Sequence, residues 1–125
     1  MSNFEKHVFN EDGARIQHII RAIDKKNRGP SENKIQAKIV KFLESRGAYV
    51  ARIVKAGKSG TSDLIMCYRG HFGAIEVKDL KGKASPLQLY HLDLVEKAGG
   101  FAIVARCVED VEQVLRYIDD EVMCD

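Results

Sequence analysis

Hydrophobic and polar positions along the chain alternate between two periods, and the changes of period outline the fold. Ile16, Ile19, Ile20 and Ile23 recur at three- and four-residue spacing, which predicts a one-faced amphipathic helix over 12–26. Asn27-Arg28-Gly29-Pro30 breaks it, and Ser31 is placed to cap a second helix whose inward face is Ile35, Ile39, Phe42 and Leu43, ending at Gly47. Residues 48–55 are rich in Val, Ile and Tyr and predict a strand. A Gly-Lys-Ser-Gly-Thr-Ser loop (57–62) leads to two further strands, 63–68 and 72–78, joined by a turn at Arg69-Gly70-His71. After the basic loop Lys81-Gly82-Lys83-Ala84, Ser85-Pro86 opens a helix with Leu87, Tyr90, Leu94 and Val95 expected inward, stopped at Gly99-Gly100. A buried strand over 101–106 follows, and Val111, Val114, Leu115, Ile118 and Val122 mark a last helix. The order is α-α-β-β-β-α-β-α, with no internal repeat or low-complexity segment.

Composition narrows the class. A chain of 125 residues with 45% hydrophobic residues suits one domain with its own core. No apolar run approaches the ~20 residues of a membrane span, and the polar first ten residues do not read as a signal peptide, so a cytoplasmic protein with no membrane partner is expected. Cys67, Cys107 and Cys124 form no zinc-ligand spacing. Two of the three lie in apolar runs and are expected to be buried thiols in a reducing compartment.

The formal net charge of +2 conceals an uneven distribution. Residues 25–83 hold 14 basic and 5 acidic side chains, a surplus of +9, whereas residues 84–125 hold 3 and 9, a deficit of −6. A basic stretch inside a folded domain suits a polyanion such as nucleic acid. A solvated surface whose charges pair across the fold is the competing reading.

The chemistry concentrates on the hairpin. Side chains alternate along a strand, so Glu76 and Lys78 share one face, with Ile75 and Val77 on the other. A two-residue turn at Arg69-Gly70 puts Asp63 opposite Glu76; one at Gly70-His71 puts it opposite Lys78 and diagonal to Glu76. Both registers gather the three residues on one face, with opposed Cβ atoms about 4.5–5.5 Å apart. Two carboxylates at that separation suit a hard divalent cation, Mg²⁺ or Mn²⁺, rather than Zn²⁺. The competing reading is a cross-strand salt-bridge patch, against which stand the Gly-rich basic loop before the hairpin and Lys81 and Lys83 after it.

Taken together, Asp63 after the Gly57-Lys58-Ser59-Gly60-Thr61-Ser62 loop, Ile75-Glu76-Val77-Lys78, a basic loop and Ser85-Pro86-Leu87-Gln88 resemble the PD-(D/E)XK nuclease superfamily. The sequence looks most like the small single-domain VRR-NUC (virus-type replication-repair nuclease) proteins and is also similar to archaeal Holliday-junction resolvases. The likeness spans about residues 31–107. It implies a restriction-endonuclease-like α/β core with a mixed central sheet flanked by helices, one nuclease domain over 1–125, a helical extension at 1–30 and a C-terminal helix at 108–125. It further implies that Asp63, Glu76 and the main-chain carbonyl of Val77 ligate Mg²⁺ or Mn²⁺, that Lys78 serves the attacking water, that Glu32 completes the site through water or a second metal, and that Gln88 is the family glutamine. Glu32 also suits the first turn of a helix behind Ser31, and Gln88 also forms a capping box with Ser85. Ser62 departs from the proline that many relatives have before the aspartate.

Arg52, Lys55, Lys58, Ser59, Lys81 and Lys83 are the candidate DNA contacts, with Gly57 and Gly60 allowing close backbone approach. Gly57-Lys58-Ser59 imitates the end of a phosphate-binding G-x-x-x-x-G-K-[ST] loop, but Arg52 stands where the first glycine belongs and a strand follows instead of a helix, so no nucleotide cofactor is expected. The expected activity is metal-dependent endonucleolytic hydrolysis of branched or structured DNA, such as Holliday junctions, by a homodimer to which the isoleucine stripe of 12–26 contributes. The alternatives are a catalytically silent nucleic-acid-binding module of the same fold and a small nuclease-associated interaction protein.

Overall fold

A computed structural model describes residues 29–54 and 60–124, so the predicted first helix and Lys55, Gly57, Lys58 and Ser59 lie outside the described residues. The elements are α1 (Glu32–Ser45), β1 (Tyr49–Arg52), β2 (Leu64–Tyr68), β3 (His71–Val77), α2 (Pro86–Lys97), β4 (Phe101–Ala105) and α3 (Val108–Cys124). They form a mixed α/β domain whose sheet has the order β1-β2-β3-β4. The first three strands are antiparallel neighbours, and β4 joins β3 in parallel after the α2 crossover.

Local chemistry explains the boundaries. Ser31 caps α1 by accepting from the Lys34 N–H at 3.4 Å. The β2–β3 turn is the two-residue Arg69-Gly70, since Tyr68 pairs with His71. Both turn residues have positive φ, 49° and 81°. That is the type I′ geometry that matches strand twist, and Gly70 adopts it without a Cβ penalty. Of the two registers open to the sequence, this selects the one that continues from Leu64–Ile75 to Asp63 opposite Glu76.

The two faces of the sheet differ. Leu64, Met66, Tyr68, Ile75 and Val77 pack against Ile35, Ile39 and Leu43 of α1 and Val111, Leu115 and Ile118 of α3, giving the main core. Burial of each such side chain is worth about 1.5–3 kcal/mol, so this layer sets the fold. The other face is covered by α2 over β3 and β4, leaving Tyr49, Cys67 and Phe72 exposed.

Three expectations need correction. On α2 only Leu92 is buried, whereas Leu87, Tyr90 and Leu94 are exposed and Val95 is half-buried. Apolar residues at 87, 89, 90, 92, 94 and 95 nearly encircle this helix, so their spacing does not define one inward face. Cys67 and Cys107 are exposed: Cys67 points to the uncovered sheet face and Cys107 sits in the β4–α3 connection. Strand β4 is mostly half-buried, because it is a sheet edge.

Candidate active site

The open end of the β2–β3 hairpin brings Asp63, Glu76, Lys78 and Gln88 together. Glu76 is 1% exposed although it lies on the less covered face, because the start of α2 closes over it. Ser85 accepts from the Gln88 N–H at 3.1 Å, and the Gln88 Oε1 accepts from the Ser85 N–H at 2.8 Å, a complete capping box. With its oxygen engaged in the cap, the Gln88 amide turns Nε2 inward to donate to Glu76 Oε1 at 2.8 Å. Gln88 therefore both caps α2 and hydrogen-bonds Glu76. Lys78 Nζ lies 3.4 Å from the same Glu76 Oε1.

Both donors thus meet one oxygen, while Glu76 Oε2 is buried with no hydrogen-bond partner among the described residues. Leaving a buried carboxylate oxygen unpartnered costs a few kcal/mol at most sites. Burial first, and then the neighbouring Asp63 carboxylate, push the Glu76 pKa up to about 7, against the pull of Lys78. Asp63 is oriented by the Val77 N–H, which donates to its Oδ2 at 2.9 Å. The cluster is short of positive charge at one buried oxygen, and a divalent cation between two hard carboxylates fits that deficit. Asp63 and Glu76, with the Val77 carbonyl, are the residues suited to hold it.

A Cβ placed on Gly82 would lie 3.0 Å from Glu32 Oε1, 3.2 Å from Asp79 Oδ1 and 3.2 Å from Lys78 Cδ, so Glu32 flanks the loop beside the Lys78 stem. Among the described residues, no three His, Cys, Asp or Glu side chains are gathered closely enough to enclose a metal ion. Of the candidate DNA contacts that are described, Arg52, Lys81 and Lys83 are all exposed. Gly60 does permit close approach, but to α2: a Cβ there would lie 2.6 Å from Leu87 Cγ.

Sequence reasoning missed Asp79 and Arg106. Asp79 Oδ1 accepts from the N–H groups of Lys81 and Gly82 at 3.0 and 2.7 Å, folding the basic loop on itself. Arg106 Nη1 donates to the carbonyls of Asp79 and Gly82 at 2.5 and 2.6 Å. The Asp79-x-x-Gly82 spacing was a usable turn signal. Arg106 gave none, as its partners lie more than twenty residues away.

Among the described residues, two surface hollows of about 670 and 610 Å³ flank α2, and neither is lined by Asp63, Glu76 or Lys78.

No family model matches the chain, and no curated protein is similar to it. Solved structures are. A VRR-NUC domain is 27% identical with a TM-score of 0.60, the match covering 70% of this chain and 97% of that one. A second VRR-NUC domain protein is 23% identical with a TM-score of 0.56, over 71% and 88% of the two chains. The Holliday-junction resolvase Hjc of the archaeal hyperthermophile Archaeoglobus fulgidus is 23% identical with a TM-score of 0.49, over 60% and 67%. The resemblance to the VRR-NUC proteins is thereby borne out at the level of fold: this chain has the α/β fold of the VRR-NUC domains.

Proposed function

We propose that the protein is a Mg²⁺- or Mn²⁺-dependent endodeoxyribonuclease acting on branched or structured DNA, such as a four-way junction. The observation that supports this most is the buried Glu76 carboxylate near Asp63, with one oxygen held by Gln88 and Lys78 and the other without a partner among the described residues. Asp63, Glu76 and the Val77 carbonyl hold the cation. When bound, it supplies charge neutralisation at a phosphoryl oxygen and a more acidic water. Gln88 fixes the Glu76 rotamer, so the carboxylate does not reorganise during reaction. Lys78 orients the attacking water or neutralises charge developing on phosphorus. The water gives up a proton to solvent as its oxygen bonds to phosphorus, one ester P–O bond breaks, and the leaving oxygen takes up a proton from solvent. Arg52, Lys81 and Lys83, with Lys55, Lys58 and Ser59, hold backbone phosphates. Two copies would match the two-fold arrangement of a junction.

The test is cleavage of labelled duplex, single strand, flap and four-way junction with Mg²⁺, Mn²⁺ or EDTA. Cutting that requires a metal and is lost in Asp63→Ala and Lys78→Ala is expected. Binding without cleavage under all metals would instead identify a silent nucleic-acid-binding module.

A further inference from the structure

Arg106 leaves the end of β4 and reaches back across the sheet to the loop that follows β3. Its Nη1 bridges two carbonyls of that loop, those of Asp79 and Gly82. Its own N–H donates to Asp110 Oδ2 at 2.9 Å, pinning its backbone to the first turn of α3. One residue before the loop, the Lys78 N–H donates to the Ala105 carbonyl at 3.0 Å, which extends the β3–β4 ladder up to Arg106 itself.

From within, Asp79 Oδ1 takes the N–H groups of Lys81 and Gly82. On a third side Gly82 faces Glu32 at a distance where even a methyl group would be tight. A surface loop joining a strand to a helix, here residues 78–85, is normally among the more mobile parts of a domain. Here it is tied at both ends and across its middle, while Lys81 and Lys83 stay exposed.

We infer that Arg106 is a positioning residue for DNA: with Asp79 it fixes the 79–83 loop so that Lys81 and Lys83 meet the phosphates flanking the Asp63–Glu76 site. The inference rests on the nuclease reading above. Arg106 acts through the loop rather than as a phosphate contact. Holding the two lysines in place before binding removes part of the ordering cost that a free loop would incur on DNA.

The charges of the two residues make the test sharp. Arg106→Met removes a positive charge and Asp79→Ala removes a negative one, so direct electrostatics predicts opposite effects on DNA affinity. Positioning predicts the same effect. Dissociation constants for a fluorescent four-way junction are measured in EDTA between 50 and 200 mM salt, without reference to cleavage. Both variants should weaken binding by about tenfold and shallow the salt dependence, at about 0.9 in slope per phosphate lost. A double-mutant cycle with Lys81→Ala/Lys83→Ala should show strong coupling, because the lysines contribute little once the loop is released.

Tighter or unchanged binding by Asp79→Ala would overturn the inference, and so would losses from Arg106→Met and the lysine pair that simply multiply. If Arg106→Met does not fold, the Asp79→Ala cycle decides alone. Absence of DNA binding by the parent protein at low salt would remove the nuclease reading itself. Tight binding by the parent with no change in either variant would remove only the role of Arg106 and Asp79.

Discussion

The β2–β3 hairpin has a charged cluster at each end, and the two are built to opposite specifications. At the turn, Asp119 Oδ1 accepts from the Tyr68 hydroxyl at 2.8 Å and lies 3.4 Å from Arg69 Nε. That carboxylate is 30% exposed and meets an opposite charge and a hydroxyl donor, so the cluster is complete without a ligand. At the open end, Glu76 is almost wholly buried, sits beside a second carboxylate and has one oxygen without a partner among the described residues. Folding tolerates the first arrangement cheaply and the second only at a cost. Both ends contain acids and bases, and it is the incomplete one that suits catalysis.

Replacing residues at each end should separate them most strongly in activity. Asp63→Ala and Lys78→Ala should each slow cleavage by at least about 10²–10³-fold. Arg69→Ala and Asp119→Ala should stay within about twofold of the parent in the same assay. Comparable losses at both ends would erase the distinction.

Stability against pH probes the same contrast without substrate. Below about pH 4.5 Glu76 is protonated in both the folded and the unfolded chain. Between 4.5 and about 7 the folded chain keeps a proton that the unfolded chain has released, so stability contributed by this group falls as pH rises through that window. The full effect is on the order of 3 kcal/mol at pH 8 in EDTA. Urea unfolding of Glu76→Gln should lack this decline and exceed the parent in stability at pH 8. An equal pH slope in both proteins would show that Glu76 is not strained. Tyr68→Phe at the turn should cost only about 1 kcal/mol, the worth of one hydrogen bond.

Gln88 links capping to the site, and two substitutions divide its roles. Gln88→Ala should lose about 1 kcal/mol of stability with the cap and about tenfold in rate. Gln88→Glu keeps an acceptor for the Ser85 N–H but loses the donor to Glu76, so it should retain the cap and still lose rate. Equal rates in Gln88→Glu and the parent would reduce Gln88 to a cap. The smallest effect is expected at Lys81 and Lys83, where each alanine should lower the salt slope of DNA binding by about 0.9.

The sequence made most of this layout legible, for reasons that can be named. Ser31 and Gly47 bound α1, and alternation along 72–78 placed Glu76 and Lys78 on one face. The hairpin register was open between two turns, and the positive φ of Arg69 and Gly70 resolves it. The orientation of α2 was illegible because its apolar residues nearly encircle the helix. Burial of Glu76 was hidden for a related reason: strand alternation assigns it a face, but only the packing of the α2 start over that face removes it from water. Arg106 lay in the acid-rich last third of the chain, and composition there pointed away from the site.

The central claim is that a divalent cation completes the open end of the hairpin. Mn²⁺ titrated into the parent protein, followed by calorimetry and by the loss of the free-ion magnetic resonance signal, tests it most directly. Saturable binding that disappears in both Asp63→Ala and Glu76→Ala, and persists in Asp119→Ala, is the predicted result. Binding that survives loss of Asp63 and Glu76 would contradict the account.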